Sequence, residues 1–217
     1  WDIGQQLTDA TGLPVIIDND ANAVALAELW FGEEEVRKTR NFITVLVAEG
    51  IGTGIIIDGP VYRGENGAAG EFGHMFVGEN APVACSCGRR DCWEAHASEK
   101  ALLHRYYSCK GEATNGVIDI EHLVGLARNG EARAMSVLKD NAKYLGIGIS
   151  NLIIGFSPQA VIVSGSIVKA WHLIKDDIQI LGQRSIRQEL TNTAIIPSTL
   201  GDQPTILGSV SLVLARK

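Results

Sequence analysis

The stretch Cys85-Ser86-Cys87-Gly88-Arg89-Arg90-Asp91-Cys92 puts three thiols within eight residues, and His74 lies eleven residues before the first. Thiols this close together are not ordinary core cysteines. Three cysteines and one histidine make a complete tetrahedral set for structural zinc, which takes soft thiolate and imidazole donors. Gly88 follows the second cysteine, where a tight turn lets backbone amides approach the thiolates. The spacing is not that of two widely separated CxxC pairs, so it points to a zinc-pinned loop inside a larger fold and away from a nucleic-acid finger. The alternative is a disulfide plus a free thiol. Disulfides are rare in the cytosol, and the rest of the chain reads as cytosolic. A fourth cysteine, Cys109, is left over.

The 217 residues suffice for one large domain or two small ones, and with 46% hydrophobic residues a sizeable core can form. A formal net charge of −6 argues against a nucleic-acid surface in this segment. No apolar run reaches the length of a membrane span, and nothing resembles a signal peptide. The chain opens on Trp1 and runs straight into a helical pattern, which is expected of a piece of a longer protein.

Apolar periodicity predicts a helix over residues 1–11, with Ile3, Leu7 and Ala10 on one face and Gly12 as its stop. A buried strand is expected at 14–18, a helix at 21–31 stopped by Gly32, and a second buried strand at 42–48. Residues 50–54 read as a glycine turn, after which 55–57 resume the strand and Asp58-Gly59-Pro60 makes a hairpin turn. The second half turns helical, at 98–108 with Ser98 as N-cap, 119–128 and 131–154. In the last of these Gly146 and Gly148 imply close helix packing. A strand at 160–163, a helix at 168–188, an extended segment at 194–197 and a closing helix at 207–216 complete an α/β pattern.

Asn19-Asp20-Ala21-Asn22-Ala23 sits where the first strand meets a helix, the edge at which open α/β sheets bind ligands. Asp20 could act as general base for a hydroxyl and Asn19 could hydrogen-bond a neighbouring one. Equally, the pair could simply cap the helix. Glu71 and His74 share the loop Gly70-Glu71-Phe72-Gly73-His74, and Glu94 follows Cys92 by two residues. If His74 binds zinc through one nitrogen, the other is held in a defined tautomer and direction. Glu71 and Glu94 then flank a zinc-fixed wall, and such acceptors beside an oriented imidazole suit a polyhydroxylated ligand such as a sugar. Glu49-Gly50-Ile51-Gly52-Thr53-Gly54 reads either as a phosphate cradle or as a structural turn. Glu49 opposes a triphosphate there unless a metal screens it. Ser164-Gly165-Ser166 is a second such turn, which could face a nucleotide base or start the next helix.

Together these residues resemble the ROK family (repressors, open reading frames and kinases). The resemblance is carried by Asn19-Asp20-Ala21-Asn22-Ala23, Gly50-Ile51-Gly52-Thr53-Gly54, Gly70-Glu71-Phe72-Gly73-His74 and Cys85-x-Cys87-Gly88-x-x-x-Cys92-x-Glu94. It implies an actin-like, ribonuclease-H-like ATPase fold of two lobes with a sugar cleft between them. It implies structural zinc on His74, Cys85, Cys87 and Cys92. Sugar contacts would come from Asn19, Asp20, Glu71, His74 and Glu94, with Asp20 as catalytic base in kinase members. ATP with magnesium would meet Gly50, Gly52, Gly54 and Gly165, if ATP is bound at all.

Three departures bear on this. Family kinases carry Gly-Thr where this chain has Ala48-Glu49, and three glycines where it has Ser164-Gly165-Ser166. Both changes fall on the nucleotide side, while the sugar side is intact, as in the family's transcriptional regulators. Asp91 replaces the usual glycine before the last cysteine, which affects the shape of that turn. The expected organisation is residues 1–32 as the tail of the first lobe and 33–217 as the second lobe, whose closing helix (206–217) would pack on the missing part. Without that lobe it would expose Leu212 and Leu214. A helix-turn-helix or an Asp-x-Gly-x-Thr phosphate loop would lie upstream of Trp1.

The expected function is sugar sensing and oligomerisation, as a homodimer or homotetramer, in a cytoplasmic transcriptional regulator that reaches DNA only through an upstream domain. The ligand would be a sugar or sugar phosphate. The alternatives are an ATP-dependent hexose kinase, or a structural piece whose zinc loop stabilises an interface.

Overall fold

The computed structural model describes residues 2–108, 119–184 and 193–215. Expectations that fall on Trp1, Cys109, residues 185–188 and Arg216 lie outside them. In chain order the helices are α1 (Ile3–Thr11), α2 (Asp20–Phe31), α3 (Glu34–Arg37), α4 (Trp93–Ala97), α5 (Glu99–Ser108), α6 (Ile120–Arg128), α7 (Ala132–Phe156), α8 (Trp171–Gln183) and α9 (Pro204–Leu214). The strands are β1 (Phe42–Val47), β2 (Ile51–Ile56), β3 (Ala160–Gly165) and β4 (Ala194–Pro197). Short 3-10 turns occupy Glu65–Gly67, Glu71–His74 and Ser166–Ala170.

The strands form one mixed sheet in the order β2-β1-β3-β4. β2 runs antiparallel to β1, and β3 and β4 run parallel to it. Every residue of β1 is buried, as expected of a strand covered on both faces. The main core lies on one face, where α7 and α8 bring Leu145, Ile149 and Ile178 against Ile43, Val45, Val161 and Val163. On α7, Gly146 lets α8 approach, since a Cβ there would lie 2.7 Å from that of Leu181. Gly148 makes room for the Trp93 indole, which donates from Nε1 to the Tyr144 carbonyl at 2.9 Å.

The opposite face is covered by α2, whose residues Ala21 to Glu28 are all buried. Helix α9 lies on α2, and a Cβ on Gly208 would fall 2.6 Å from the Ala23 backbone. Helix α2 thus covers the sheet on one side and carries α9 on the other.

Four local expectations are corrected. Residues 14–18 form no strand; Ile17 is 58% exposed, and no described strand lies alongside to take their hydrogen bonds. The glycines of 50–54 are not a turn: the reversal is a tight bend at Ala48–Gly50, where the Ala48 amide donates to the Gly50 carbonyl, and the later glycines lie inside β2. The helix expected from 168 begins at Trp171, after the 3-10 turn. On α9, Leu212 packs inward, Leu214 is half-buried, and the exposed large apolar side chains are Ile206, Val210 and Val213. No helix among the described residues is long and apolar enough to cross a membrane.

Glu28 is the one acid sealed into the α2 layer, 1% exposed, with one carboxyl oxygen lacking a partner. Burial, and then the nearby Glu33 charge, outweigh a Ser198 hydrogen bond and raise it from 4.5 to about 7. Below pH 4.5 both native and unfolded states hold this proton. Between pH 4.5 and 7 only the unfolded carboxyl ionises, so stability falls with rising pH, by about 3 kcal/mol in all. Glu28→Gln should flatten that fall, read as urea midpoints at pH 5 and pH 8. An unchanged pH slope in the variant would show that Glu28 is not its source.

Candidate functional site

Asn19 takes the N-cap of α2. Its Oδ1 accepts from the Ala21 amide at 2.9 Å and the Asn22 amide at 3.4 Å, which leaves its Nδ2 free to donate. The capping role is thus present, and it does not consume the side chain. Asp20 is the first residue of α2, exposed, where the helix N-terminus favours a carboxylate. Asp18 sits behind both, accepting from the Asn19 amide at 2.9 Å and Asn22 Nδ2 at 3.1 Å, and pairing with Arg63. Burial alone would raise its pKa; Arg63, Asn22 and Asn19 together hold it below the ordinary carboxyl value.

The facing wall is the segment Gly70 to His74, laid along the free edge of β2. Thr53 Oγ1 donates to the Gly70 carbonyl at 2.6 Å. Gly70, at φ +92°, and Gly73 both need their missing Cβ, which would lie 2.4 Å from the Thr53 carbonyl oxygen and 2.2 Å from that of Ile51. This brings Glu71 and His74 beside Asn19 and Asp20. Glu94, on α4, completes the set, with its carboxyl packed where a Cβ on Gly50 would fall at 2.6 Å. Asn19, Asp20, Glu71, His74 and Glu94 line one cavity of about 220 Å³ at the carboxyl edge of the parallel strands.

Glu94 also joins the cavity to the cysteine loop. Its Oε1 accepts from the Ser86 amide and hydroxyl, both at 3.1 Å, and lies 3.2 Å from Cys85 Sγ. Burial pushes this carboxyl up, yet these donors and the Ile51 amide hold it below its ordinary value, so it is an ionised acceptor at neutral pH.

His74, Cys85, Cys87 and Cys92 bring their ligand atoms within 4.8 Å of one another. Cys87 Sγ lies 3.4 Å from Cys85 Sγ and 3.5 Å from Cys92 Sγ, and His74 Nδ1 lies 3.1 Å from Cys85 Sγ. A disulfide needs about 2.0 Å. Zinc with bonds of about 2.3 Å to sulfur sets tetrahedral edges of about 3.8 Å. The cluster is a slightly contracted form of that tetrahedron, so these residues fit the metal. Arg89 hydrogen bonds pull the exposed Cys87 thiol down to about 6, while burial pushes Cys92 up to about 12. A cation at the centre would offset the second effect. Gly88 takes a left-handed φ of +87°, and its amide closes the loop on the Cys85 carbonyl at 2.9 Å. Asp91 is not among the residues with positive φ, so the turn forms without a glycine there. With Nδ1 turned to the thiols, His74 presents Nε2 towards Glu71, 3.6 Å from Oε2.

The glycines expected to cradle phosphate have structural work on this face. A Cβ on Gly52 would meet that of Ala21 at 2.8 Å, and one on Gly54 would meet the Ala21 carbonyl oxygen at 2.3 Å. Gly165, at φ +96°, would strike the Val47 carbonyl oxygen at 2.0 Å. Sequence reasoning missed Asp18, Arg63, Thr53 and Ser86, which hold the two walls together. The Asx and Thr side chains beside glycines were the available signals.

A sequence model of the ROK family matches residues 1–216. The chain belongs to the ROK family. It is 35% identical over 214 residues to the xylose repressor of Bacillus subtilis, covering 98% of this chain and 54% of the repressor. It is 30% identical over 221 residues to the glucokinase of Halalkalibacterium halodurans, covering 96% of this chain and 66% of that enzyme. This ROK chain thus spans about half the length of the xylose repressors it matches. Its fold superposes on a ROK glucokinase from Streptomyces griseus solved with glucose and AMPPNP, with a TM-score of 0.85 and 29% identity over 97% of this chain and 71% of that one. A ROK transcriptional regulator homologous to the E. coli MLC protein superposes equally well, with a TM-score of 0.84 and 29% identity over 98% of this chain and 55% of that one. The actin-like sugar-kinase fold of the family is therefore shared by its regulators and its enzymes.

The cysteine cluster yields a direct test. Metal analysis of purified protein should give about one zinc per chain. Cys92→Ser should lose the metal and lower thermal stability, whereas Cys109→Ser should keep both. Full metal retention by Cys92→Ser would remove the assignment.

Proposed function

We propose that the chain is the sugar-sensing and oligomer-forming part of a ROK transcriptional regulator that represses sugar-utilisation genes. The carrying observation is an asymmetry along the sheet edge. The five candidate hydroxyl-binding side chains line one cleft, while the end where a nucleotide's phosphates would lie is acidic. Glu49 is exposed at the β1–β2 bend, and Ser166 Oγ donates to Glu99 Oε2 at 2.7 Å beside Gly165. At about 4 Å and an effective dielectric of about 20, one unit charge opposes another by about 4 kcal/mol. A triphosphate at that end is thus disfavoured unless a metal screens it. Xylose repressors at 35% identity and glucokinases at 30–32% support the two readings equally, so the choice rests on the charge at that end of the sheet.

In this reading Asn19, Asp20, Glu71 and Glu94 hold sugar hydroxyls, and His74 donates from Nε2. Zinc on His74, Cys85, Cys87 and Cys92 would fix the imidazole and the Glu94 loop when bound. DNA contact belongs to a domain upstream of residue 1. The apolar strip Ile206, Val210 and Val213 on α9 supports burial against another lobe or copy, in a homodimer or homotetramer in the cytoplasm.

The second reading is an ATP-dependent hexose kinase. It is favoured by the Asp20 carboxylate at the cleft, placed to take a proton from a sugar hydroxyl. ATP and magnesium would then meet Gly50, Gly52, Gly54 and Gly165.

Full-length protein assayed with ATP, magnesium, hexoses and pentoses should show no useful turnover. About one turnover per second on any sugar would replace the regulator with the kinase. Calorimetry should show Glu71→Ala and Glu94→Ala each weakening sugar binding by about 1.5–3 kcal/mol, or about ten- to a hundredfold. Unchanged affinity in both variants would remove the shared sugar site.

A further inference from the structure

Beyond Glu94 the cleft does not end. A second cavity, of about 390 Å³, opens on the far side of the same carboxylate and shares Gly50 and Glu94 with the first. Its wall is built from the β1–β2 bend, the cysteine loop and the start of α5. Glu49, Ser86 and Lys100 are its outward polar groups, and Val83 and Ala84 supply an apolar patch. Glu49 and Lys100 have no hydrogen-bond or ion-pair partner among the described residues, so both ends of the cavity keep free hydrogen-bonding capacity.

We infer that this cavity is a second glycosyl subsite, so that the ligand is a disaccharide or longer glycoside bridging the Glu94 carboxylate. The inference rests on the sugar-binding reading above. A pyranose ring offers hydroxyls around its rim and C–H groups on its faces. Here an acceptor carboxylate, a hydroxyl and an ammonium donor surround a small apolar patch, which matches both parts of such a ring. The charge balance separates this ligand from a phosphorylated one. Two carboxylates, Glu49 and Glu94, face the cavity against the one ammonium of Lys100, so a neutral polyol is accepted where a phosphate dianion is repelled. The same arrangement gives Glu49 a function that its clash with a triphosphate leaves unexplained.

The test is calorimetry on the full-length protein with glucose, xylose, their α- and β-linked disaccharides and the corresponding sugar phosphates. At least one disaccharide should bind about tenfold or more tightly than its constituent monosaccharide. Lys100→Ala and Glu49→Gln should each abolish that gain and leave monosaccharide affinity and melting temperature unchanged, since neither lines the first cavity. Monosaccharide binding with no disaccharide gain, or a gain that survives both variants, overturns the second subsite and leaves the sugar site standing. Preferential binding of a sugar phosphate that depends on Lys100 overturns it as well. Absence of binding by every sugar removes the sugar reading itself, and this inference with it.

Discussion

Helix α2 approaches β2 so closely that a side chain between them would have no room. A Cβ on Gly54 would fall 2.3 Å from the Ala21 carbonyl oxygen, and one on Gly52 would fall 2.8 Å from the Ala21 Cβ. Successive side chains of a strand alternate in direction, so Gly52 and Gly54 leave one face of β2 bare towards α2. That bare face sets the height of the α2 N-terminus above the sheet, and with it the positions of Asn19 and Asp20. At Gly50, just before β2, the missing side chain admits the Glu94 carboxyl instead of a helix. Two walls of the cleft, from distant parts of the chain, are thus positioned by what one short segment lacks. Replacing any of these glycines by alanine would displace a binding side chain as well as strain the packing.

The third wall depends on a different constraint. The Gly70–His74 segment hugs the edge of β2 through the Thr53 hydroxyl and two glycines, and the cysteine loop fastens its far end. Arg89 donates to the His74 carbonyl at 2.7 Å, and the Trp93 amide donates to the Met75 carbonyl at 2.8 Å. Backbone and metal-type ligands therefore hold the same short segment. The segment's backbone and the thiol contact hold His74 in place, whereas the Glu71 side chain stays exposed beside it.

Local signals were legible in the sequence, and those that depend on a distant partner were not. The cysteine cluster could be read because its three sulfurs sit within one loop, so spacing alone brings them together. The α2 cap and its Gly32 stop and the Ser98 cap of α5 follow from residues acting on their own helix. The glycine run at 50–54 was read as a turn, because glycine signals a turn until the helix that presses on it is known. Residues 14–18 carry strand-forming side chains, but a strand exists only beside another. Helix α4 was missed because its five residues are held by the Trp93 indole in the notch at Gly148, fifty-five residues away in the chain. Which face of α9 turns outward likewise depended on where Gly208 meets Ala23.

In the regulator reading proposed above, the division between regulator and kinase comes down, for this chain, to charge at one end of one sheet. The sugar end needs acceptors: neutral hydroxyls bind ionised carboxylates such as Glu94 without any counter-charge, and the hydrogen bonds are charge-assisted. The nucleotide end needs the opposite, because three phosphates bring charge that bare backbone amides and a cation must absorb. Glu49 places a carboxylate where such amides should stand alone, and the Ser166–Glu99 hydrogen bond adds a second carboxylate beside the Gly165 turn. Neither residue disturbs the fold, since both are near the surface of well-packed elements. In that reading, acidic side chains at that end oppose phosphates and leave the sugar cleft intact. A scaffold that separates its two ligands along a sheet edge can in this way lose one chemistry and keep the other.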